Sequence, residues 1–375
     1  MREYVEIGIG REARRTYPLS RVTVQPSRRT RSSKDVDTTW HIDAYTFAIP
    51  FMSHPTDALA SPEFAIEMGK QGGLGVLNAE GLLGRHEDLH AAIAEVIEGV
   101  DDHNELASSG AIKALQKLHA APINHELLAQ RIGEVRDSGQ VVAVRVSPQN
   151  CRELAPVVIK AGADILVVQG TIISAEHVQE DGEPLNLKDF IGTLDIPVIA
   201  GGVSDYTTAL HLMRAGVVGV IVGSGASTQD LSLGIGSAQA TAIADVAAAR
   251  RDYLDETGGR YVHVIADGEI SFSGDAVKAI ACGADAVVLG QPLANASEAA
   301  AQGYYWESAA AHPRFPRVEV NTPYGAERVS LETILHGPST KVFGEENFVG
   351  GLKRAMAKCG FTDLKSFQKV EISVY

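Results

Sequence analysis

The stretch Ala281-Cys-Gly-Ala-Asp-Ala-Val-Val-Leu-Gly290 joins the end of a helical pattern to a short apolar strand. Gly283 lies between the helix and the strand, and Gly290 follows the strand. The same order recurs in Lys160-Ala-Gly-Ala-Asp164 and in Arg214-Ala-Gly-Val-Val218, each of which leads into an apolar run. A glycine just after a helix supplies the left-handed backbone that ends it. Repeated helix–glycine–strand units predict a parallel sheet built from strand–helix repeats.

Eight apolar runs predict eight strands, each followed by a helical pattern. Most of the runs do not alternate between apolar and polar residues, which is typical of parallel strands covered on both faces. The predicted strands are Phe47–Met52, Leu74–Asn78, Val141–Val146, Ile165–Val168, Pro197–Ala200, Val218–Val222, His263–Ala266 and Ala286–Leu289. The predicted helices are Pro62–Gln71, Leu89–Val100, Glu126–Asp137, Leu154–Lys160, Tyr206–Arg214, Ala238–Asp252, Gly274–Ala281 and Ala294–Gln302.

The expected fold is an α/β (β/α)8 TIM barrel that forms a single domain over residues 1–375. A doubly wound open sheet is the alternative, but its GxGxxG fingerprint is missing, since Gly8-Ile-Gly10 continues as Arg-Glu-Ala. Three parts lie outside the repeats. They are an N-terminal arm (1–40), a short insertion (101–124) with a helical piece at Gly110–Leu118, and a C-terminal extension (312–375) with a helix near Phe348–Ala357.

Composition excludes several classes of protein. The net charge of −14 argues against a nucleic-acid surface, and the arginine-rich stretch 11–34 is interpreted as a solvated arm, with a substrate or partner contact as the alternative. No apolar run approaches the roughly 20 residues of a membrane helix, so we expect a cytoplasmic protein that does not contact membranes. The three cysteines form no CxxC pair and the 12 histidines form no ligand cluster, so no metal site is expected.

Glycines follow each of the last three predicted strands, at Gly223 and Gly225, at Gly268, and at Gly290. A barrel places its site at the carboxyl ends of its strands. Glycines there let the backbone approach a ligand, and the helix N-termini that follow direct N–H groups at it. The three loops together predict a phosphate-binding site, although for any one of these glycines alone a turn is the better explanation.

Two further features are candidates for chemistry. His54 and Asp57 are close enough in sequence to form a general-base pair, although Pro55 between them also predicts a tight turn with a structural role. Cys151 follows the third predicted strand near the start of a helix, where the thiol pKa is lowered, so it is a weak candidate for a nucleophile. Cys282 and Cys359 are interpreted as packing residues.

Several segments resemble the IMP dehydrogenase / GMP reductase family, in the family's order, and indicate its short subfamily without CBS domains. The resemblance covers about 17–81, 141–301 and 337–375. The segments are Gln71-Gly-Gly-Leu-Gly-Val76, Val222-Gly-Ser-Gly225, Ala238-Gln-Ala-Thr-Ala242, Ile265-Ala-Asp-Gly-Glu-Ile270, Leu289-Gly-Gln-Pro-Leu-Ala294 and Gly350-Gly-Leu-Lys-Arg-Ala-Met-Ala-Lys-Cys-Gly360.

The resemblance implies that a purine nucleoside monophosphate is the ligand. Asp267 would accept the ribose hydroxyls, with capping of the next helix as its alternative role. Gln169 stands where the family has a carboxylate that holds the nicotinamide ribose of NAD, which is the implied cofactor. The main-chain phosphate cradle would be Gly268, Glu269, Gly290 and Gln291, and the other substrate-binding positions are Ser53, Asp57, Gly202, Gly223, Gly225 and Ser227.

The chain departs from the family in the loop after the sixth strand. The family continues there as Gly-Ser-Ile-Cys-Thr, whose thiolate attacks the purine, whereas this chain continues from Ala226 as Ala-Ser-Thr-Gln. The hydroxyl of Thr228 is a weak substitute, because an unactivated hydroxyl is a poor nucleophile. The same loop supplies the family's main-chain cation site, so no potassium is expected. His312-Pro-Arg-Phe-Pro-Arg317 replaces the family's base-recognition segment.

Three hypotheses about function therefore stay open. The first is a purine-nucleotide oxidoreductase that converts IMP to XMP with NAD, as the resemblance implies. The second is a non-catalytic purine-nucleotide-binding regulator of the same fold, which the missing thiol favours. The third is an FMN-dependent barrel oxidoreductase, because flavin-binding barrels share the motifs after the seventh and eighth strands. The resemblance also suggests a homo-oligomer such as a tetramer.

Overall fold

The computed structural model of the chain describes residues 3–100, 108–174, 185–225, 233–308, 312, 319–323 and 327–375. Its centre is a single sheet of eight strands, numbered β1 to β8 in chain order. The strands are β1 (Phe51–Ser53), β2 (Val76–Asn78), β3 (Ala143–Val146), β4 (Ile165–Gln169), β5 (Val198–Val203), β6 (Gly219–Val222), β7 (His263–Ala266) and β8 (Ala286–Leu289).

The sheet closes on itself. Each strand from β2 to β8 pairs in parallel with the next, and β8 pairs in parallel with β1, where Leu289 lies opposite Ser53. A parallel bridge from Met52 to Leu74 joins β1 to the residues just before β2, and the Ser53 N–H donates to the Leu74 carbonyl at 2.9 Å. The predicted (β/α)8 barrel is therefore confirmed.

Helices cover the outside of the barrel, and the predicted helix exits are confirmed. Gly162, Gly216 and Gly283 have φ values of 109°, 103° and 122°, a region that residues with a side chain rarely adopt. The described helices are Pro62–Lys70, Leu89–Glu98, Ser108–His119, His125–Asp137, Cys151–Ala161, Leu187–Ile191, Tyr206–Arg214, Gln239–Thr257, Ser273–Ala281, Gln291–Ala294, Leu331–His336, Phe348–Lys358 and Leu364–Phe367.

Two predicted elements are wrong in part. The first strand does not begin at Phe47, because Tyr45–Phe47 pairs antiparallel with Trp40–Ile42 in a separate hairpin. The helix predicted over Ala294–Gln302 ends at Ala294. The backbone that follows pairs with a distant segment instead, since the Ser297 N–H donates to the Val329 carbonyl at 2.7 Å.

The amino ends of the strands are covered. In the hairpin Trp40–Phe47, the Trp40 indole N–H donates to His263 Nδ1 at 3.3 Å, and His263 begins β7. Ile42 is 1% exposed and packs over Gly219, the first residue of β6. A ligand therefore has to enter at the opposite, carboxyl end of the barrel.

The N-terminal arm is held by the C-terminus. Strand Val22–Val24 pairs antiparallel with Ile372–Val374, and the hairpin Tyr4–Gly8 with Arg11–Arg14 lies at the start of the arm. Strands β4 and β5 are buried at every position, as expected for strands inside a covered barrel. Within the described ranges, no helix combines the length and the apolar character that crossing a membrane requires.

Candidate active site at the carboxyl end of the barrel

Asp267 is the centre of a buried polar cluster at the carboxyl end of the barrel. It follows β7 directly and is 2% exposed. Its Oδ2 lies 3.2 Å from Nδ1 of His54, which follows β1, and accepts an N–H from Gln169 Nε2, at the end of β4, at 3.0 Å. The barrel thus brings together three residues that the sequence placed at the ends of distant strands.

Glu307 and Tyr305 extend this cluster, and the sequence analysis missed both. Glu307 Oε2 lies 2.5 Å from His54 Nε2, and the Tyr305 hydroxyl donates to Glu307 Oε1 at 2.9 Å. Both residues are buried. In the sequence, Glu307 ends the aromatic run Tyr304-Tyr-Trp. An aromatic run predicts burial, and a carboxylate that is buried with it needs a partner, so this pattern could have marked the segment as part of a site.

His54 is a buried imidazolium held between two carboxylates. Burial alone would lower its pKa, but the charges of Glu307 and Asp267 outweigh that effect and raise the pKa of His54 to about 10. Burial and the charge of Glu307 also raise the pKa of Tyr305 well above 10. The His54 ring is therefore charged at neutral pH, and the Tyr305 hydroxyl stays protonated.

Two acceptor atoms in the cluster are unpaired. Both partners of the Asp267 carboxylate contact Oδ2, and Oδ1 has no partner among the described residues. Gln169 Oε1 is buried and likewise has no partner in the described part of the chain. A buried acceptor without a partner, such as Gln169 Oε1, is uncommon, and together with the free Asp267 Oδ1 it marks a place for hydrogen-bond donors.

The loops after β7 and β8 present unpaired N–H groups. Within the described residues, no acceptor lies within hydrogen-bond distance of the main-chain N–H of Gly268, Glu269, Gly290 or Gln291. Gln291 also begins a short helix, and its side-chain Oε1 accepts from Asn321 at 3.3 Å. Clustered main-chain N–H groups are the usual protein ligands of a phosphate.

The glycines after β5 and β6 are arranged differently. The N–H groups of Gly202, Gly223 and Gly225 donate to the carbonyls of Gly170, Val203 and Asp267, at 3.1, 2.8 and 3.1 Å. Gly202 packs so closely on Gly223 that a Cβ would lie 2.0 Å from the Gly223 carbonyl oxygen. These three glycines serve close backbone packing. Ser227 and Thr228 lie outside the described residues.

Glu269 connects three parts of the chain. Its backbone has a φ of 57°, which is unusual for a residue with a side chain. Its carboxylate accepts the N–H of Leu19 at 2.7 Å and that of Gln239, the first residue of helix Gln239–Thr257, at 3.3 Å. These bonds hold the backbone of the loop after β7 in its strained conformation and attach the N-terminal arm to the mouth.

The segment that carries Tyr305 and Glu307 lies against two of the glycines. A Cβ at Gly290 would be 2.3 Å from the Tyr305 hydroxyl oxygen, and a Cβ at Gly225 would be 2.5 Å from Glu307 Oε2. A larger residue at either position would have to displace the Tyr305 hydroxyl or the Glu307 carboxylate. The side chains of this segment therefore form one wall of the mouth and place a carboxylate next to the loop after β6.

The candidate general-base pair of His54 and Asp57 does not form, and the alternative, a structural role for this turn, agrees with the contacts of Asp57. Asp57 Oδ2 lies 2.9 Å from His119 Nε2, and Oδ1 accepts the Leu82 N–H at 2.7 Å. Burial favours the neutral acid, but His119 and the Leu82 N–H outweigh burial and lower the pKa of Asp57. Ser53 is also enclosed, since its Oγ accepts the Val76 N–H at 3.0 Å and so helps to join β1 to β2.

The capping role considered for Asp267 is wrong as well. The next helix, Ser273–Ala281, has Phe272 at its N-cap, and its first-turn carboxylate is Asp275. Asp275 accepts the N–H groups of Ser271 and Phe272 at 3.1 and 3.0 Å. Asp267 contributes nothing to this helix terminus.

Cys151 does not have the environment of a reactive thiol. The residue is fully buried, and its Sγ donates to the Pro148 carbonyl at 3.2 Å. Burial raises the pKa of the Cys151 thiol to about 11, which outweighs the effect of the helix N-terminus on which the prediction rested. Burial also raises the pKa of Cys282 to about 11. In the described part of the chain, no group of three or more His, Cys, Asp or Glu side chains could hold a metal ion.

Comparison with known proteins gives a consistent result. The sequence profile of the IMP dehydrogenase / GMP reductase domain matches residues 16–374. An uncharacterized oxidoreductase of Mycolicibacterium smegmatis is 62% identical over 374 residues, which cover 99% of both chains. An inosine-5'-monophosphate dehydrogenase of Pasteurella multocida is 33% identical over 215 residues, which cover 56% of this chain and 40% of that protein.

Among solved structures, an IMP dehydrogenase/GMP reductase-like protein from Corynebacterium glutamicum superimposes with a TM-score of 0.94. It is 70% identical, and the match covers 99% of this chain and 98% of that one. The likeness therefore extends over the whole barrel, including the arm and the C-terminal extension.

Proposed function

Because the chain belongs to the IMP dehydrogenase / GMP reductase family, we propose that it binds a purine nucleoside monophosphate at the carboxyl ends of β4, β7 and β8. The observation that carries the proposal is the set of unpaired groups there. Four main-chain N–H groups, Asp267 Oδ1 and the buried Gln169 Oε1 lie at the strand ends where the family resemblance places the nucleotide.

In this proposal the phosphate binds the N–H groups of Gly268, Glu269, Gly290 and Gln291. None of these groups has another acceptor among the described residues, so binding breaks no existing hydrogen bond. The net charge of −14 makes such local donors necessary, because the overall field of the protein repels an anion. The N–H groups of Gly202, Gly223 and Gly225 do not take part, because each already donates to a carbonyl.

The ribose hydroxyls donate to Asp267 Oδ1. His54 and Gln169 hold the other oxygen of this carboxylate at 3.2 and 3.0 Å, so the side chain is fixed before the nucleotide arrives. A fixed acceptor avoids the loss of side-chain freedom that binding otherwise costs. Gln169 Oε1 is the second acceptor, and it suits a hydroxyl or amide of the nucleotide or of NAD.

We propose further that the nucleotide is a redox substrate. IMP would be oxidised to XMP, with NAD as the hydride acceptor when bound and with water as the source of the new oxygen. The residues described at the mouth would bind and orient the nucleotide, and His54 and Gln169 would hold the Asp267 side chain in place. The main support is that close relatives are described as oxidoreductases, and that the family contains IMP dehydrogenases.

A second function, a non-catalytic nucleotide-binding regulator, is favoured by one observation. The chain has no cysteine between Cys151 and Cys282, and neither of these thiols has a lowered pKa. A thiolate of the kind that attacks the purine is therefore missing from the loop after β6. Such a regulator would use the same nucleotide site without turnover.

One set of measurements tests the proposal. We expect IMP, GMP or XMP to bind in calorimetric titrations, and Asp267→Ala to weaken binding by more than about 1 kcal/mol, because it removes a charge-assisted hydrogen bond. Unchanged affinity would refute the ribose role. Formation of NADH from IMP and NAD would then separate the oxidoreductase from the regulator. A yellow purified protein with flavin absorbance would favour the FMN-dependent alternative instead.

The proposal includes the state of the protein in the cell. We expect a cytoplasmic homo-oligomer, a tetramer by analogy with the family, that does not bind nucleic acid. Light scattering after gel filtration would give the number of subunits. A monomer at micromolar concentration would contradict this part of the proposal without affecting the nucleotide site.

A further inference from the structure

A cavity lies beside the mouth of the barrel and shares only Gln291 with the residues proposed to bind the nucleotide. Its volume is about 270 Å³, close to the lower end of the range for small-molecule sites. It lies between the loop after β7, the short helix after β8 and the segment that precedes helix Phe348–Lys358. The lining residues that matter here are Phe272, Pro292, Asn295, Ile334, Lys341 and Glu346.

Two acceptor atoms of the lining are buried and unpaired. Glu346 is 4% exposed; its Oε2 accepts the Thr340 N–H at 2.9 Å, and its Oε1 has no partner among the described residues. Asn295 donates through Nδ2 to the Glu327 carbonyl at 3.1 Å, and its Oδ1 is also unpaired within the described ranges. A buried carboxylate oxygen without a donor is costly, so the cavity lacks a group that supplies N–H or O–H bonds.

The charges of the lining favour a cation. Lys341 contributes one positive charge, and Glu345 and Glu346 contribute two negative charges, so the lining carries a net charge of −1. Among the described residues, Lys341 forms no ion pair, so its ammonium group does not neutralise Glu346. Phe272, Pro292 and Ile334 supply an apolar wall, and Phe272 remains 39% exposed although it is aromatic.

We propose that this cavity binds a small organic cation with a flat apolar body, such as an amidine, a guanidine or a protonated aromatic amine. The N–H groups of the cation donate to the Glu346 carboxylate, whose buried Oε1 they reach when the side chain turns slightly toward the cavity, and its body packs on Phe272 and Pro292. An amidine or guanidine suits a carboxylate especially well, because its N–H groups are coplanar and point the same way. Gln291 lines this cavity, and its main-chain N–H belongs to the proposed phosphate site, so the two ligands would be neighbours.

Calorimetric titration with benzamidine tests the proposal, with neutral benzamide as the ligand control. Glu346→Gln removes the charge but retains a carbonyl oxygen that accepts the Thr340 N–H. We expect benzamidine to bind the wild-type protein and Glu346→Gln to weaken binding at least about tenfold, the effect of losing a hydrogen bond to a charged group. Glu371→Gln is the matched control, because Glu371 is exposed, lies outside the lining and changes the net charge equally.

Three results would overturn the proposal: no binding of benzamidine up to roughly 10 mM, about ten times a millimolar Kd; equal binding to wild type and Glu346→Gln; or equal binding of benzamide and benzamidine. Asp267→Ala separates this cavity from the nucleotide site. It is expected to leave benzamidine affinity unchanged, whether or not the nucleotide proposal holds. A loss of benzamidine binding in Asp267→Ala would show that the probe occupies the mouth instead, and would equally overturn the proposal.

Discussion

The loops after β1 to β3 and the loops after β7 and β8 share the same end of the barrel but differ in how their polar groups are paired. In the first set, Asp57 pairs with His119, and Glu80 pairs with Arg145 and Ser147. In the second set, four main-chain N–H groups have no acceptor among the described residues. The first set is complete without a ligand, whereas the second set gains hydrogen bonds when one binds.

His54 connects the two sets, since it follows β1 but contacts Asp267 and Glu307. Its charge is what holds the carboxylates of the second set in place. Loss of that charge is therefore the most direct way to uncouple the two sets of loops.

Raising the pH is expected to give the largest effect. The pKa of His54 in the folded protein, about 10, lies above its ordinary value of 6.5, so the folded state keeps a proton that the unfolded state releases. The stabilisation is therefore complete below pH 6.5 and is lost as the pH rises to about 10. The slope from this residue is up to about 1.4 kcal/mol per pH unit. Urea unfolding at pH 6.5 to 10 measures it.

Two observations accompany that experiment. NMR titration of the His54 ring should show the imidazolium form persisting above pH 8, and titration near pH 6.5 would contradict the charged cluster. In His54→Gln, the pH-dependent loss of the free energy of unfolding between pH 6.5 and 10 should become smaller than in the wild type.

Removing the ion pair between Arg145 and Glu80 in the first set of loops is expected to destabilise the fold by about 3 kcal/mol. Arg145 donates to the Gln169 carbonyl at 2.8 Å and to Glu80 at 3.1 Å, and Arg145→Ala leaves Glu80 without its buried counter-ion. The free energy of urea unfolding measures the loss. Lys117→Ala is the control, because its ion pair with Glu95 is exposed and is expected to contribute less than about 1 kcal/mol. Equal effects would contradict the structural role of Arg145.

The fold could be predicted from sequence because its signals are local. The strands β3, β4, β7 and β8 lie within a residue or two of the apolar runs, and the glycines at helix exits have the backbone that a helix end requires. The errors occur where a distant segment decides the local structure. Ala296, for example, forms a bridge with Val329, and the sequence between 294 and 302 contains no pattern that predicts this pairing.

The site was less predictable than the fold for the same reason. Asp267 could be selected because it directly follows a predicted strand, precedes Gly268 and matches the family's motif. Its partner His54 was assigned to Asp57, which is three residues away in sequence, although the barrel closure places it beside the end of β7. Glu307 lies 40 residues after Asp267 in a segment without a strand signal, so only its burial among aromatic residues reveals it.

Asp267 and Asp57 allow a direct test of the difference between the two sets of loops, since both are buried and each contacts a histidine. Asp267→Asn is expected to weaken binding of the nucleotide by about 2 kcal/mol, roughly 30-fold, because it replaces a charged acceptor for the ribose hydroxyls. Asp57→Asn is the matched control, and both of its carboxylate oxygens already have partners, so nucleotide affinity should change by less than about 0.5 kcal/mol. Calorimetric titration with IMP measures both. Equal losses would show that the two sets of loops do not differ in function.

Glu307→Gln is expected to have the smallest effect and the opposite sign. Glu307 places a buried carboxylate against Gly225, and its neighbour Tyr305 lies against Gly290, one of the proposed phosphate ligands. The Glu307 carboxylate and the phosphate of IMP are both negative, and in a partly solvated mouth we expect them to repel by about 1 kcal/mol. Removing the carboxylate charge should therefore strengthen IMP binding about fivefold. The pKa of His54 should also fall below about 10, because one of its two carboxylate partners is lost.

Inosine separates this electrostatic effect from a change in the shape of the site. It has the base and ribose of IMP without the phosphate, so Glu307→Gln should leave the affinity for inosine unchanged while it raises the affinity for IMP. If both ligands gain equally, the substitution has loosened the segment around Tyr305, and repulsion of the phosphate is not the cause. If IMP binds more weakly, Glu307 is itself part of the site, and the phosphate does not lie in the loops after β7 and β8.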